Sequence, residues 1–358
     1  MIQYVIRRVL LAIPVLLGIL FVTFSLARLI PGDPCRAQLG EHATDAICEA
    51  FAERHGLNKP IPVQFAIYLG EVLRGDLGDS IRFNRPVTVI LTERLPVTVE
   101  LSISALIFAT FFGIILGVIS AYRRNSAIDV LTMVGANAGV SIPVFVLGLL
   151  LAYVFALLLK DTPLALPPSG RLTPGIPVKP LAEVWGMQHL NGLPRGMLDF
   201  LSNMYIFNGI VTGNWTLAGD ALKHLILPTM ALGTIPMSII ARMTRSSLLD
   251  VMNLDYTRTA RAKGLTERQV IFRHAMPNAL LPIVTVIGLQ LGGLLGGAVL
   301  TETVFGLSGV GKSLFDAITA RDYTIVQAFT VVIAIGYVMI NLIVDLSYAY
   351  LDPRIRLS

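Results

Sequence analysis

The segment DYTRTARAKGLTERQVIFRHAMPNALLP, residues 255–282, is the most basic part of a chain that is otherwise largely apolar. Gly264 can adopt the left-handed conformation that ends a helix. Thr266, followed three residues later by Gln269, forms a capping box that starts another helix. Long apolar stretches lie close on both sides. The pattern predicts two short helices separated by a glycine, in a loop between two membrane spans, with a charged surface that contacts a partner.

The composition indicates a membrane protein. Of the 358 residues, 54% are hydrophobic and 14% are charged, whereas soluble domains carry about 25% charged residues. Lipid must therefore serve as solvent for much of the chain. The formal net charge of +5 does not indicate nucleic-acid binding, because the basic residues cluster between apolar runs, as membrane topology predicts.

Apolar runs near the roughly 20 residues that a bilayer requires predict six transmembrane helices. We place them at about 9–30, 99–121, 131–159, 224–243, 280–301 and 325–349. The first run exceeds the apolar core of a signal peptide, so we expect it to remain as a span. The Lys and Arg residues of the short loops predict that both termini lie in the cytoplasm.

These spans divide the chain into four parts. The parts are an N-terminal span (1–30), a small extracytoplasmic module (31–96), a transmembrane core (97–350) that contains the charged loop (246–279), and a cytoplasmic tail (351–358). Within the second long outer loop, FLSNMYIFNGIV is too short and too polar to span, and we interpret it as an interfacial helix.

The two cysteines of the chain, Cys35 and Cys48, both fall in the predicted outer module. Their oxidising location predicts a disulfide between them. Two buried free thiols are the alternative, because pairing cannot be deduced from sequence alone.

Residues 306–313, GLSGVGKS, fit the nucleotide-binding P-loop pattern. A P-loop requires a preceding buried strand and a following helix in one soluble fold. Here a glycine-rich span precedes the motif, and the topology places Lys312 outside, away from ATP. We therefore expect no nucleotide site. TARAKGLTERQV similarly resembles a DNA-reading helix-turn-helix, but the loop has no further helix to build a core around the pair.

Four polar residues fall inside predicted spans: Asn137, Gln290, Asn341 and Asp345. Ionisable groups in a membrane are functional candidates by default. Asp345, however, lies near the polar tail on the same helical face as Asn341, which favours a helix-end pair with a nearby arginine. Asn137 and Gln290 are expected to bond between helices.

The fifth predicted span carries a glycine stripe, formed by Gly288, Gly292 and Gly296, with Gly293 and Gly297 beside it. Small residues four apart let helices approach closely. Tight packing within one subunit and a wide face along a translocation path remain open alternatives. The candidate path residues are therefore Gly288, Gln290, Gly292 and Gly296. No nucleophile–base pair, carboxylate pair or metal-ligand spacing is present, so we expect no catalytic residues and no metal or cofactor in this chain.

The loop 255–282 resembles the cytoplasmic coupling loop of ABC-importer permeases, with Gly264 as the anchor and Pro277 in place; Arg258, Thr259, His274 and Met276 depart from the general motif. ARAKGL followed by RHAMPNALLP resembles the dipeptide/oligopeptide branch. VIRRVLLAIPVLLGILFVTFSLARLIPGDP, ERLPVTVELS and NLIVDLSYAYLDPRIR are similar to the first permease of dipeptide, oligopeptide and nickel importers.

The resemblance implies an all-α polytopic protein with the type I importer permease fold, in a prokaryotic inner membrane. It implies a second homologous permease, two cytoplasmic ATPases that bind ATP and Mg²⁺, and an extracytoplasmic substrate-binding protein. TETVFGLSGVGKSLFDAI resembles the outer turn after the fifth span, and that span faces the path in the family. The predicted ATPase-coupling residues are Arg258, Thr259, Ala260, Arg261, Ala262, Lys263, Gly264 and Leu265.

The cargo implied by the resemblance is a di- or oligopeptide, with nickel, glutathione or a sugar as alternatives. A rival class is an ATP-independent secondary transporter, which would favour membrane-embedded acidic residues and inverted repeats. Neither is evident in the sequence. A membrane enzyme is disfavoured by the missing site chemistry.

Overall fold

The computed structural model describes residues 2–29, 43–54, 58–80 and 82–351, and this part of the chain is helical, with one isolated bridge between Asp79 and Pro86. The helices are α1 Ile2–Leu29, α2 Asp45–Arg54, α3 Ile61–Leu73, α4 Val87–Tyr122, α5 Ala127–Ser141, α6 Val144–Ala152, α7 Leu181–Val184, α8 Leu193–Ser202, α9 Tyr205–Val211, α10 Trp215–Met252, α11 Asp255–Ala262, α12 Glu267–Gln269, α13 Met276–Gly297, α14 Val299–Val304, α15 Val310–Thr319 and α16 Tyr323–Leu351. Two π-helical segments, Tyr153–Leu158 and Val270–Ala275, extend α6 and join α12 to α13.

Five described helices are long and apolar enough to cross a membrane: Val5–Leu26, Val87–Tyr122, Trp215–Met252, Glu267–Leu294 and Tyr323–Leu346. A sixth span is present if the bent pair Ala127–Ser141 and Val144–Leu158 counts as one. The predicted all-α polytopic fold is confirmed.

The third predicted span, 131–159, is not one straight helix. Its two halves are bent by 101° at a break between Ser141 and Val144. Pro143 has no N–H to donate, and it disfavours helical geometry at Ile142, whose ψ is 124°. The hydropathy of the run is continuous across this break, so the apolar pattern alone did not reveal it.

The centre of the fold is the long contact between α4 and α10. Glycines let the two backbones approach: a methyl group at Gly113 would lie 2.8 Å from the carbonyl of Met237, and one at Gly117 would lie 2.6 Å from the carbonyl of Ala241. Gly233 of α10 approaches α4 in the same way. Small residues four apart are expected to allow such close packing. Here the pair is Gly113 and Gly117, which was not among the glycines predicted to pack closely.

Helix α4 begins at Val87, inside the segment assigned to the outer module. Its first turns are buried, with Val87 and Ile90 packed against α15 and α16 through Val310 and Phe329. We call this end of α4 the outer end. It is packed against other helices, and the helix therefore extends beyond the predicted start of the span at residue 99.

The segment predicted as one interfacial helix forms two short helices, α8 and α9, separated at Asn203 and Met204. Helix α9 packs on α10, where Gly209 lies directly against Ala218. Helix α1 lies at the edge of the fold and contacts α3 and α16.

Candidate coupling site

Helix α11 is fastened to the end of α10 by one buried threonine. The Thr257 hydroxyl donates to the carbonyl of Leu254 at 2.6 Å and of Met252 at 3.0 Å, and the side chain is fully buried. Met252 is the last residue of α10, where carbonyls lack intrahelical partners, and Leu254 is the N-cap of α11. Thr257 therefore joins the start of α11 to the end of α10.

The predicted coupling residues divide by exposure. Ala260 is buried, and Arg261 and Leu265 are half-buried, so these three support the unit. The remaining residues form an exposed surface, which we call the docking face: Arg258, Thr259, Ala262, Lys263 and Gly264. Exposed apolar side chains flank the docking face at Leu254, Tyr256 and Phe272. A basic centre with an apolar rim is suited to contact with another protein.

The turn after α11 has the predicted left-handed glycine. Gly264 has φ +82°, its N–H donates to the carbonyl of Arg261, and the N–H of Leu265 donates to the carbonyl of Ala260. This is the hydrogen-bond pattern of a Schellman motif. Nothing lies within 4 Å of a methyl group placed at Gly264, so the backbone conformation, not space, requires glycine.

A bidentate ion pair braces the turn. Arg261 donates to the Glu267 carboxylate at 3.0 Å and 2.7 Å, and also to the carbonyl of Met252 at 3.2 Å. The hydrogen bond to Glu267 raises the pKa of the Arg261 guanidinium. Arg261 thus joins α10, α11 and α12, and its role is to hold the unit rather than to present charge. Neither Glu267 nor Thr257 was predicted from the sequence to have a role. The acidic residue six positions after Arg261 could have predicted the ion pair.

The second helix of the unit is the start of the fifth span. The predicted capping box between Thr266 and Gln269 is confirmed. From there the helix continues through the π segment, whose Val270, Ile271 and Ala275 are buried, into one span, Glu267–Leu294. The prediction of two short helices is therefore wrong for the second one. Only α11 is a separate short helix, and the segment after the turn is continuous with the fifth span. A displacement of the turn would therefore move that span.

The glycine stripe of α13 packs against α16 within the chain. A methyl group at Gly292 would lie 2.7 Å from the Tyr337 ring, and one at Gly288 would collide with Val344. Nothing lies within 4 Å of Gly293 or Gly296. For Gly288 and Gly292 the contacts support the packing alternative. It stays a prediction that these residues, together with half-buried Gln290 and with Gly296, line a translocation path.

The P-loop-like residues 306–313 follow helix α14 rather than a strand. The carboxylate of Glu302 lies against this segment: it accepts from the Lys312 backbone N–H at 2.8 Å and from the Thr98 hydroxyl at 2.6 Å. Burial raises the pKa of this carboxyl group. The Lys312 side chain has no part in these hydrogen bonds, and the Glu302 carboxyl group fills the space beside the turn at Gly309.

Two predictions on polar residues inside spans are confirmed. Asp345 pairs with Arg8 of α1 at 3.1 Å, and the Asn137 amide oxygen accepts from the Ser238 hydroxyl of α10 at 3.3 Å. The predicted disulfide stays a prediction: Cys48 lies in α2 and is not a free thiol, while Cys35 lies outside the described residues.

Comparison with known proteins gives two family matches. The family "Binding-protein-dependent transport system inner membrane component" matches residues 113–357, and its N-terminal companion family matches residues 1–104. The dipeptide transport system permease protein DppB of Alkalihalophilus pseudofirmus is 45% identical over 99% of this chain and 100% of its own length.

Two further relatives are of similar extent. The di/tripeptide transport system permease protein DppB of Pseudomonas aeruginosa is 42% identical over 99% of both chains. The glutathione transport system permease protein GsiC of Pectobacterium atrosepticum is 36% identical, again over 99% of both. The apolar spans and the family together make this a multi-pass protein of the inner membrane. The chain belongs to the family of binding-protein-dependent transport system inner membrane components.

Proposed function

We propose that the chain is the permease subunit of an ATP-driven importer of di- or oligopeptides. The relatives along its whole length are named for dipeptides, di/tripeptides and glutathione, which are all short peptides. Import of nickel or a sugar by the same architecture is the alternative. The chain forms the translocation path with a second, homologous permease and receives cargo from an extracytoplasmic binding protein.

One observation supports the coupling role of the loop: the docking face is exposed while the rest of the unit is fastened to two spans. Two cytoplasmic ATPases bind ATP and Mg²⁺, and this chain itself is non-catalytic. ATPase closure displaces α11, and the continuous helix Glu267–Leu294 transmits that displacement to the fifth span. Cargo can drive the cycle only because it binds the two states of the path unequally. The end of the molecule that carries α11, the coupling end, faces the cytoplasm.

The test uses the assembled importer in vesicles. Ala262→Trp overfills the docking face, and we expect uptake of a labelled dipeptide to fall roughly tenfold or more, since overpacking costs about 1–3 kcal/mol. The matched control is Ala127→Trp, an exposed alanine at the start of α5, which should transport normally.

Two readouts separate the parts of the proposal. Capture of the ATPases by the permease should weaken for Ala262→Trp and not for the control. Competition by dipeptides, nickel and sugars against the labelled dipeptide identifies the cargo class. Normal uptake and normal ATPase capture by Ala262→Trp would refute the coupling role, and uptake of nickel without dipeptide competition would refute peptide cargo.

A further inference from the structure

A basic cleft lies beside the coupling unit. It has a volume of about 440 Å³ and is bounded by the turn after α4, the end of α10 and the brace between Arg261 and Glu267. Its lining residues are Ala121, Tyr122, Arg123, Arg124, Met252, Asn253, Arg261 and Glu267. The cleft therefore joins two segments that are far apart in sequence, the α4–α5 turn and the coupling loop.

The positive charge in the cleft is only partly neutralised within the described part of the chain, because three arginines and one glutamate line it. Arg261 is paired with Glu267, and nearby Arg245 is paired with the buried Asp129 at 2.7 Å. The guanidinium groups of Arg123 and Arg124, in contrast, make no salt bridge or hydrogen bond among the described residues, although Arg124 also interacts electrostatically with Glu267 across the cleft. Arg123 lies over the ring of Tyr122, 5.4 Å from its centroid. Two guanidinium groups thus face the cleft with donors to spare.

An apolar surface leads from the membrane to this cleft. On α4, Ile115, Ile119 and Tyr122 are all exposed and lie on one helical face that ends at Arg123. On α5, which begins beyond the same turn, Leu131 is 71% exposed. Aromatic residues such as Tyr122 are enriched where a span meets the headgroup layer. Acyl chains along this face would place a headgroup at the arginines.

We propose that the cleft binds the phosphate of an anionic phospholipid, through the guanidinium groups of Arg123 and Arg124. Guanidinium pairs a phosphate in a bidentate fork, and basic pockets between helices at the cytoplasmic side favour such headgroups. Because Arg261 and Glu267 form one wall, the bound lipid contacts the brace of the coupling turn. This site is additional to the proposed docking face, and its test requires no transport.

Two simpler roles for the arginines differ from the proposal in what they predict. Basic residues at helix C-termini interact favourably with the helix dipole, and loop arginines fix membrane orientation. Neither role requires a bound lipid, and neither distinguishes Arg123 and Arg124 from other arginines at the coupling end.

The experiment is native mass spectrometry of the full chain, purified in micelles that contain equal amounts of phosphatidylglycerol and phosphatidylcholine. We expect the protein to retain phosphatidylglycerol selectively. The double variant Arg123→Gln/Arg124→Gln should lose that retention roughly thirtyfold, at about 1 kcal/mol per arginine. The matched control Arg268→Gln/Arg273→Gln removes the same charge from exposed positions of the coupling unit and should change retention far less, because neither residue lines the cleft.

Four outcomes would overturn the proposal. Equal loss in both double variants would show general surface attraction without a site. Displacement of phosphatidylglycerol by millimolar inorganic phosphate, with the phosphate retained in its place, would assign the cleft to a free anion. Displacement by the purified ATPases would assign it to the protein interface. Retention that the cleft variant leaves unchanged would exclude any lipid role for the two arginines.

Discussion

Two glycine turns lie at opposite ends of the molecule, and they need glycine for different reasons. Gly264, at the coupling end, has φ +82° and open space around it. Gly309, at the outer end, has φ −89°, which any residue adopts, but a side chain there would collide with the Glu302 carboxylate. Both turns precede a helix. The first requires a backbone conformation, and the second requires room.

The surroundings of the two turns differ in the same way. At the outer end, buried carboxylates hold the segments together: Glu302 binds the turn before α15, Asp322 accepts from Ser80 at 2.6 Å, and Glu100 pairs with Arg171 at 3.1 Å. At the coupling turn, the brace between Arg261 and Glu267 is half-exposed. Segments with few buried contacts open most readily. The outer turn is therefore fixed by a buried carboxyl group, whereas the coupling turn is exposed beside buried anchors such as Thr257 and Asp129.

The largest effect is expected at Glu302, whose removal would break the outer end. Glu302→Ala leaves the Thr98 hydroxyl and the Lys312 N–H buried without their acceptor. We expect the free energy of unfolding to fall by about 3 kcal/mol, measured by thermal unfolding of the purified chain in micelles. Glu302→Gln keeps one acceptor oxygen and should lose less. Unfolding of Glu302→Ala at the wild-type temperature would contradict the anchoring role.

The next effect tests whether Gly309 is required by space. Gly309→Ala should cost about 2 kcal/mol by overpacking against the Glu302 carboxylate, in the same unfolding assay. Adding Glu302→Asp, which withdraws the carboxylate by one methylene, should recover part of the loss. Gly293→Ala is the matched control, because nothing lies within 4 Å of that glycine. Equal behaviour of the two alanine variants would show that the collision is relieved without cost.

A different effect is expected at Gly264, where the backbone is the constraint. Gly264→Val should cost about 1–2 kcal/mol locally, because a β-branched residue disfavours positive φ. Gly264→Asn should be milder, since asparagine tolerates this conformation. Uptake by the assembled importer should follow that order, and the free energy of unfolding should fall by no more than this local cost. Equal uptake by the valine and asparagine variants would show that the turn geometry is not needed for coupling.

The smallest effect is expected at Lys312, in the P-loop-like segment. Its backbone N–H binds Glu302, and Lys312→Ala leaves that group in place. We expect a change in unfolding free energy within about 0.5 kcal/mol and no change in ATP affinity or hydrolysis by the assembled importer. A large loss of ATP binding with normal assembly would show that the segment contacts nucleotide.

The local predictions that rest on neighbouring residues are confirmed. Gly264 and the Thr266–Gln269 capping box act within one turn of the chain, so the sequence specifies them directly. The pairing of Asp345 with an arginine followed from the cost of a lone charge near lipid. The identity of that arginine, Arg8 of α1, did not follow, because it depends on how α1 packs on α16.

Glycine stripes show where such prediction ends. The sequence drew attention to Gly288 and Gly292, which pack on α16, while Gly113 and Gly117 of the central pair were passed over. All four occur at the same four-residue spacing. Which stripe meets which helix depends on the arrangement of all the spans, and no local pattern encodes it.

The amino-acid sequence by itself determined that the chain is helical and apolar enough for membrane spans, and where its coupling turn lies, because hydropathy and glycine conformation are local properties. The tertiary structure alone decided which groups meet across the chain: Glu302 with Thr98, Arg261 with the end of α10, and Arg124 with Glu267 in the lining of one cleft. Those contacts join residues on different helices, and the packing of the spans sets them.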